Sequence, residues 1–157
     1  MRRMPLTDET VVAVIGAGAM GAGIAQIAAQ AGHVVHLVDA AEGAATAAHD
    51  RLGGTLGRLV EKGRLTADER AGILDRIVLG SAADGDLKEL PPVGLVIEAV
   101  VENLGVKHDI FGTLEDEQDE STVLATNTSS LDIGAIAEDL EHPERVIGLH
   151  FFNPPPL

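Results

Sequence analysis

Gly16, Gly18 and Gly21 form a Gly-x-Gly-x-x-Gly turn between the apolar run Val11 to Ile15 and a stretch of helical character from Met20 to Ala31. In that setting the first glycine permits a tight turn and the second lets a phosphate approach the backbone. The third lets the helix pack closely on the strand. The helix start adds free N–H groups and a partial positive charge, which together make an anion site. Ala17, Ala19 and Met20 complete the turn and belong to the same candidate site. Asp39 ends the next apolar run, at about the 20-residue spacing at which a carboxylate accepts hydrogen bonds from an adenosine ribose. A carboxylate there repels a 2′-phosphate, and Ala40 and Ala41 supply no arginine to receive one. The chemistry implied is dinucleotide binding, with NAD preferred over NADP.

The elements that must position these residues follow from local pattern. Val11 to Ile15, Val34 to Val38, Ile77 to Leu79, Leu95 to Glu98, Thr122 to Ala125 and Val146 to Leu149 are short apolar runs expected to form buried strands. Between them lie helical stretches: Met20 to Ala31, Glu42 to Lys62, a helix opened by the capping box Thr66-x-x-Glu69, Val106 to Glu115, and Leu131 to Leu140 with Ser129 or Ser130 as N-cap. Gly53, Gly54 and Gly57 weaken the second helix. The acidic run at 115–120 reads as a solvated turn, and Glu98 ends a strand with no evident partner. Alternation of strand and helix predicts an α/β, doubly wound, mainly parallel sheet with helices on both faces, a Rossmann-type fold. No linker divides the chain, so residues 1–157 are expected to form one unit.

Composition excludes several classes of partner. The formal charge of −14 opposes nucleic acid and anionic membranes as partners, so any anionic ligand must be held by local dipoles or a few placed cations. No apolar stretch is long enough to span a bilayer, and the first residues lack the apolar core of a secretory signal. With no cysteine there is neither a disulfide framework nor thiolate chemistry, and a cytoplasmic protein is expected. No metal site is expected.

Fold alone does not specify a reaction. Three stretches are more specific: "VIGAGAMGAGIAQIAAQAGHVVHLVD" (14–39), "VIEAVVENLGVKHDIF" (96–111), and "ATNTSSLDIGAIA" followed by "RVIGLHFFNP" (125–154). Together they resemble the 3-hydroxyacyl-CoA dehydrogenase family across nearly the whole chain. The resemblance implies interconversion of 3-hydroxyacyl-CoA and 3-oxoacyl-CoA with NAD as cofactor, as in fatty-acid β-oxidation. It assigns His150 as the general base. It also implies that Ser129 contacts the substrate oxygen and the nicotinamide side, that Asn153 lines the same region, and that Glu102 and Lys107 lie along the cofactor. A hydroxyl and a lysine that contact coenzyme A fall at Thr55 and Lys62, although serine is the more usual residue at the first. His33, His36, His49, His108 and His142 match no functional position.

Family members continue past the His-Phe-Phe-Asn-Pro motif with a glutamate that orients the imidazole. A helical domain then covers the acyl chain and forms the dimer. The sequence stops at Leu157. The expectation is therefore an N-terminal NAD-binding domain, with residues 151–157 as the hinge to a second domain. Such a chain would bind NAD with little or no turnover, its parent enzyme being a homodimer. Two other readings stay open: a regulatory or sensing module with this fold, and another dehydrogenase of the β-hydroxyacid type.

Overall fold

A computed structural model describes residues 6–80 and 85–154; the last three residues of the expected hinge lie outside them. The described residues form a six-stranded, wholly parallel sheet in the order β3-β2-β1-β4-β5-β6. Its strands are β1 (Val12–Ile15), β2 (Val35–Val38), β3 (Ile77–Val78), β4 (Leu95–Glu98), β5 (Val123–Thr126) and β6 (Val146–Gly148). Each arises from an expected apolar run: β4 has the expected bounds, β5 is shifted forward by one residue, and the other four are one residue shorter. The helices are α1 (Ala19–Gln30), α2 (Ala44–Glu61), α3 (Ala67–Arg76), α4 (Leu104–Glu117) and α5 (Ile133–Ala137). The doubly wound architecture is as expected.

The strands are apolar throughout because both sheet faces are covered. In β1, Val12 and Val14 pack with Ile24 of α1, Leu52 and Leu56 of α2, and Ile73 of α3. Ala13 and Ile15 face the other way, towards Phe111 and Leu114 of α4 and Ile136 of α5. The strand order reverses beside β1, so the chain leaves β1 and β4 in opposite directions. Their carboxyl ends open a crevice at that point, where open α/β sheets hold ligands.

Three local expectations need correction. The glycines do not break α2, which runs for 18 residues. Arg70 of α3 donates from Nε and Nη2 to the Gly53 carbonyl at 3.1 and 3.0 Å, tying the weak segment to its neighbour. The helix after β5 is capped neither by Ser129 nor by Ser130. Asp132 caps it, accepting from the Ala135 N–H at 3.0 Å, because the Ser130 hydroxyl is bonded elsewhere. The acidic run is only partly a solvated turn. α4 extends through it to Glu117, and Glu115 accepts from the backbone N–H groups of Glu141 and His142 at 3.0 and 2.7 Å. Gln118 is buried, and its Oε1 accepts from Val93 N–H at 3.0 Å. The capping box is formed as read, with Thr66 and Glu69 exchanging both hydrogen bonds.

Candidate active site

Gly16 ends β1 with a φ of 106°, a conformation that only glycine adopts without strain. A Cβ there would lie 2.6 Å from the Ala99 carbonyl oxygen, so the turn is pressed against the exit of β4. Gly21 is tighter: its Cβ would sit 1.6 Å from the Gly16 carbonyl oxygen. Gly18 differs from both. It is exposed, and a Cβ on it would meet nothing within 4 Å. As N-cap of α1 it brings no side-chain cap, so the first-turn amides face an open groove. Backbone donors, a helix dipole and an unobstructed approach fit a pyrophosphate.

Asp39 follows β2 and is half-buried beside this turn. Its Oδ2 accepts from the Ala17 N–H at 2.7 Å and its Oδ1 from the Ala41 N–H at 2.8 Å. Each carboxylate oxygen keeps a further lone pair, enough for the two hydroxyls of a ribose. The same contact fixes the glycine turn from behind, with Ala17 buried and Ala19 exposed at the start of α1.

The groove has two lobes. One, of about 360 Å³, is lined by Gly16, Gly18, Asp39, Gly85, Val100 and Ile110 among others. The second, of about 300 Å³, is lined by Met20, Glu102, Asn127, Ser129, His150 and Asn153 among others. Ala99 and Val100 line both, so the lobes meet at the exit of β4. Asp39 thus stands at one end and His150 at the other.

His150 leaves the carboxyl end of β6 exposed, its ring 5.2 Å from that of Phe152 and tilted by 46°. The loop carrying it is held by backbone bonds. Leu149 N–H donates to the Thr126 carbonyl at 2.9 Å, and Phe151 N–H donates to Asn127 Oδ1 at 2.7 Å. Asn127 is therefore a positioning residue that the sequence reading missed. Gly85 was missed as well: its φ is 88° and a Cβ would lie 2.6 Å from the Ala40 Cα. No motif surrounds Gly85, so only the fold reveals it.

Behind the second lobe lies a chain of charges. Glu98 and Lys107 are both 0% exposed. Lys107 Nζ is 2.7 Å from Glu98 Oε1 and 3.2 Å from Glu102 Oε1. Glu98 also accepts from Val100 N–H at 2.8 Å and from the Thr126 hydroxyl at 2.6 Å. Thus Glu98, left without a partner by the sequence reading, has three. Lys107 is not a solvated helix lysine, nor does it line either lobe; it stands beneath the surface on which the cofactor was expected to touch it. Glu102 does line the second lobe, and its Oε2 accepts from the hydroxyls of Thr128 and Ser130 at 2.7 and 2.8 Å. Burial pushes its carboxyl up, but those hydroxyls and the Lys107 ammonium outweigh burial and hold it at about 2. Glu102 is an anion at any working pH.

Thr55 and Lys62 lie exposed on α2 and at its end, and neither lines a lobe of this groove. Their seven-residue spacing puts them on one helix face, about two turns apart. Among the other histidines, His33, His49 and His108 each bond a backbone carbonyl, of Thr10, Leu74 and Ala135. Among the described residues no helix is long and apolar enough to cross a membrane.

The family model described as 3-hydroxyacyl-CoA dehydrogenase, NAD binding domain, matches residues 11–157. The chain is 46% identical over 152 residues to the 3-hydroxyadipyl-CoA dehydrogenase of Escherichia coli, covering 97% of this chain and 31% of that protein. It is 44% identical over 147 residues to a 3-hydroxybutyryl-CoA dehydrogenase of Mycobacterium tuberculosis, covering 93% and 50%. Among solved structures, that of a 3-hydroxybutyryl-CoA dehydrogenase from Escherichia coli superposes with a TM-score of 0.88 at 45% identity, over 95% of this chain and 31% of that one. The (S)-3-hydroxybutyryl-CoA dehydrogenase from Ralstonia eutropha gives 0.85 at 38%, over 95% and 51%. The chain thus spans about half or less of the length of these relatives. Its glycine turn, the carboxylate of Asp39 beside it and the sheet order agree with the match: the chain belongs to the 3-hydroxyacyl-CoA dehydrogenase family and is of the kind that forms its NAD-binding domain.

Proposed function

We propose that this chain supplies the NAD site and the general base of an enzyme that interconverts 3-hydroxyacyl-CoA and 3-oxoacyl-CoA. The observation that carries the proposal is the continuous groove with Asp39 at one end and His150, Ser129 and Asn153 at the other. Asp39 binds the adenosine ribose, and Gly16 to Gly21 receive the pyrophosphate. Bound NAD supplies a hydride acceptor for C3 of the substrate. The His150 imidazole takes the hydroxyl proton as the C–O double bond forms, and returns it in the reverse direction. Ser129 donates to the substrate oxygen, and Asn153 orients the same end of the groove. Thr55 and Lys62 would bind coenzyme A from α2, the lysine as a point charge for a phosphate.

The one-domain reading belongs to the same proposal, with residues 151–157 as a hinge to a helical second domain that closes over the acyl chain and pairs two subunits. The absence of cysteine supports a cytoplasmic setting. Without a carboxylate to orient it, an imidazole loses orders of magnitude in rate, as catalytic triads show. Among the described residues nothing hydrogen-bonds the His150 ring. The purified chain is therefore expected to bind NADH and to oxidise it with acetoacetyl-CoA far below the rate of an ordinary dehydrogenase. Absorbance at the NADH band, run beside a fluorescence titration, checks both. No NADH binding would overturn the cofactor assignment, and full turnover would overturn the need for a second domain.

Asp39→Ala separates the two dinucleotides. It removes two charge-assisted bonds to the ribose, so NADH affinity is expected to fall by about tenfold to a hundredfold. NADPH affinity should change far less, since the repulsion of its 2′-phosphate disappears with the carboxylate. Equal losses in parallel titrations would sink the ribose assignment.

A further inference from the structure

Ionised groups inside a protein normally cancel in pairs. The buried Glu98 and Lys107 form such a pair, and Glu102, exposed in the second lobe, adds a third charge to it. Among the described residues, Glu98 and Glu102 share the Lys107 ammonium alone, which leaves one negative charge uncompensated. Val100 N–H and the Thr126 hydroxyl donate to Glu98, and the Thr128 and Ser130 hydroxyls donate to Glu102, so both carboxylates are met by hydrogen-bond donors. With Glu98 and Lys107 fully buried, the excess charge reaches solvent only through Glu102, on the wall that also carries Met20, Ser129 and His150.

A built-in negative charge of this kind calls for a cation. Asp39 marks the adenosine end of the groove, so the second lobe takes the far end of the dinucleotide, the nicotinamide. That ring is cationic in the oxidised cofactor and neutral in the reduced one. We propose that the Glu98–Lys107–Glu102 triad selects the redox state of the cofactor, its net charge of −1 favouring NAD⁺ over NADH in the second lobe. The inference rests on the NAD reading above. Glu102 acts at the surface of the lobe; Glu98 is a positioning residue that contributes charge through Lys107 without touching the ligand.

This arrangement makes a prediction that a contact role would not. Glu98→Gln leaves Lys107 wholly to Glu102 and brings the triad to neutrality, so it should act in the same direction as Glu102→Gln, although Glu98 is fully buried. The experiment measures the affinities of NAD⁺, NADH and ADP-ribose for the wild-type chain and both variants by calorimetry. The ratio of NAD⁺ to NADH affinity is expected to fall about tenfold in Glu102→Gln and about threefold in Glu98→Gln, the order of magnitude of one charge acting near a protein surface. ADP-ribose, which lacks the nicotinamide, reports whether the rest of the groove is intact. If Glu102→Gln weakens NAD⁺ and NADH equally, Glu102 contributes hydrogen bonds only and the proposal fails. Glu102 is partly exposed and tolerates glutamine, so that arm stands even if Glu98→Gln does not fold. If the wild-type chain binds neither ADP-ribose nor NADH, the NAD reading itself has failed and the redox inference falls with it.

Discussion

Lys107→Met should destabilise the chain by about 3–5 kcal/mol at pH 7, the usual consequence of removing one partner from a buried ion pair. That is a large share of the roughly 5–15 kcal/mol that holds a typical domain together. Methionine fills the space of the lysine stem, so the loss is electrostatic rather than a cavity. Among the described residues, Glu98 would remain fully buried with its carboxylate facing no cation, and Glu102 would lose its one ammonium partner. Urea denaturation at pH 7 tests this, and an unchanged midpoint would show the pair to be dispensable. Adding Glu98→Gln to Lys107→Met removes the stranded charge and should restore much of the loss.

Gly21→Ala carries the second large effect, and its cause is steric. The new methyl would fall 1.6 Å from the Gly16 carbonyl oxygen and 2.7 Å from its carbon, both backbone atoms that cannot rotate away. α1 must then move off β1. Overpacking of this kind costs about 1–3 kcal/mol or more. The shift also carries the first-turn amides away from the groove, and NADH affinity should drop at least about tenfold, since a small misplacement of such donors is expensive. Gly18→Ala is the control, because its methyl meets no protein atom within 4 Å. It should keep the wild-type thermal midpoint while still weakening NADH, whose phosphates need that space. If Gly21→Ala kept both midpoint and affinity, the close packing of α1 on the turn would have no functional weight.

Most of the fold was legible because its signals are local. Each strand is a short apolar run, and Thr66 and Glu69 declare a helix start within four residues. What escaped depends on pairing between distant segments. Glu98 finds Thr126 because β4 and β5 align them in register, and it finds Lys107 across the turn into α4. Neither partner shows in a window of the sequence. One sign was present: Lys107, Phe111 and Leu114 recur at i, i+4 and i+7, and all three are buried. That period puts the lysine on the inward face of α4, where a charge demands a partner. Ser129 and Ser130 fit the N-cap preference equally well, and sequence could not show that the Ser130 hydroxyl is bonded to Glu102. Asn127 escaped for a related reason, since what it holds is the Phe151 amide on another strand's exit.

The two bonds that Asp39 accepts bear on cofactor engineering. Turning this domain towards NADP by exchanging the acid for a neutral or basic residue would strand the Ala17 and Ala41 amides along with removing the repulsion. The glycine turn would lose its brace in the same step, so relief of the repulsion alone would not give tight NADP binding. Ala40, exposed beside the acid and lining the groove, is the better place to add an arginine. The acid itself then needs a small acceptor, such as serine, in its place. In the proposed site one carboxylate serves both specificity and loop order, so a redesign has to replace both.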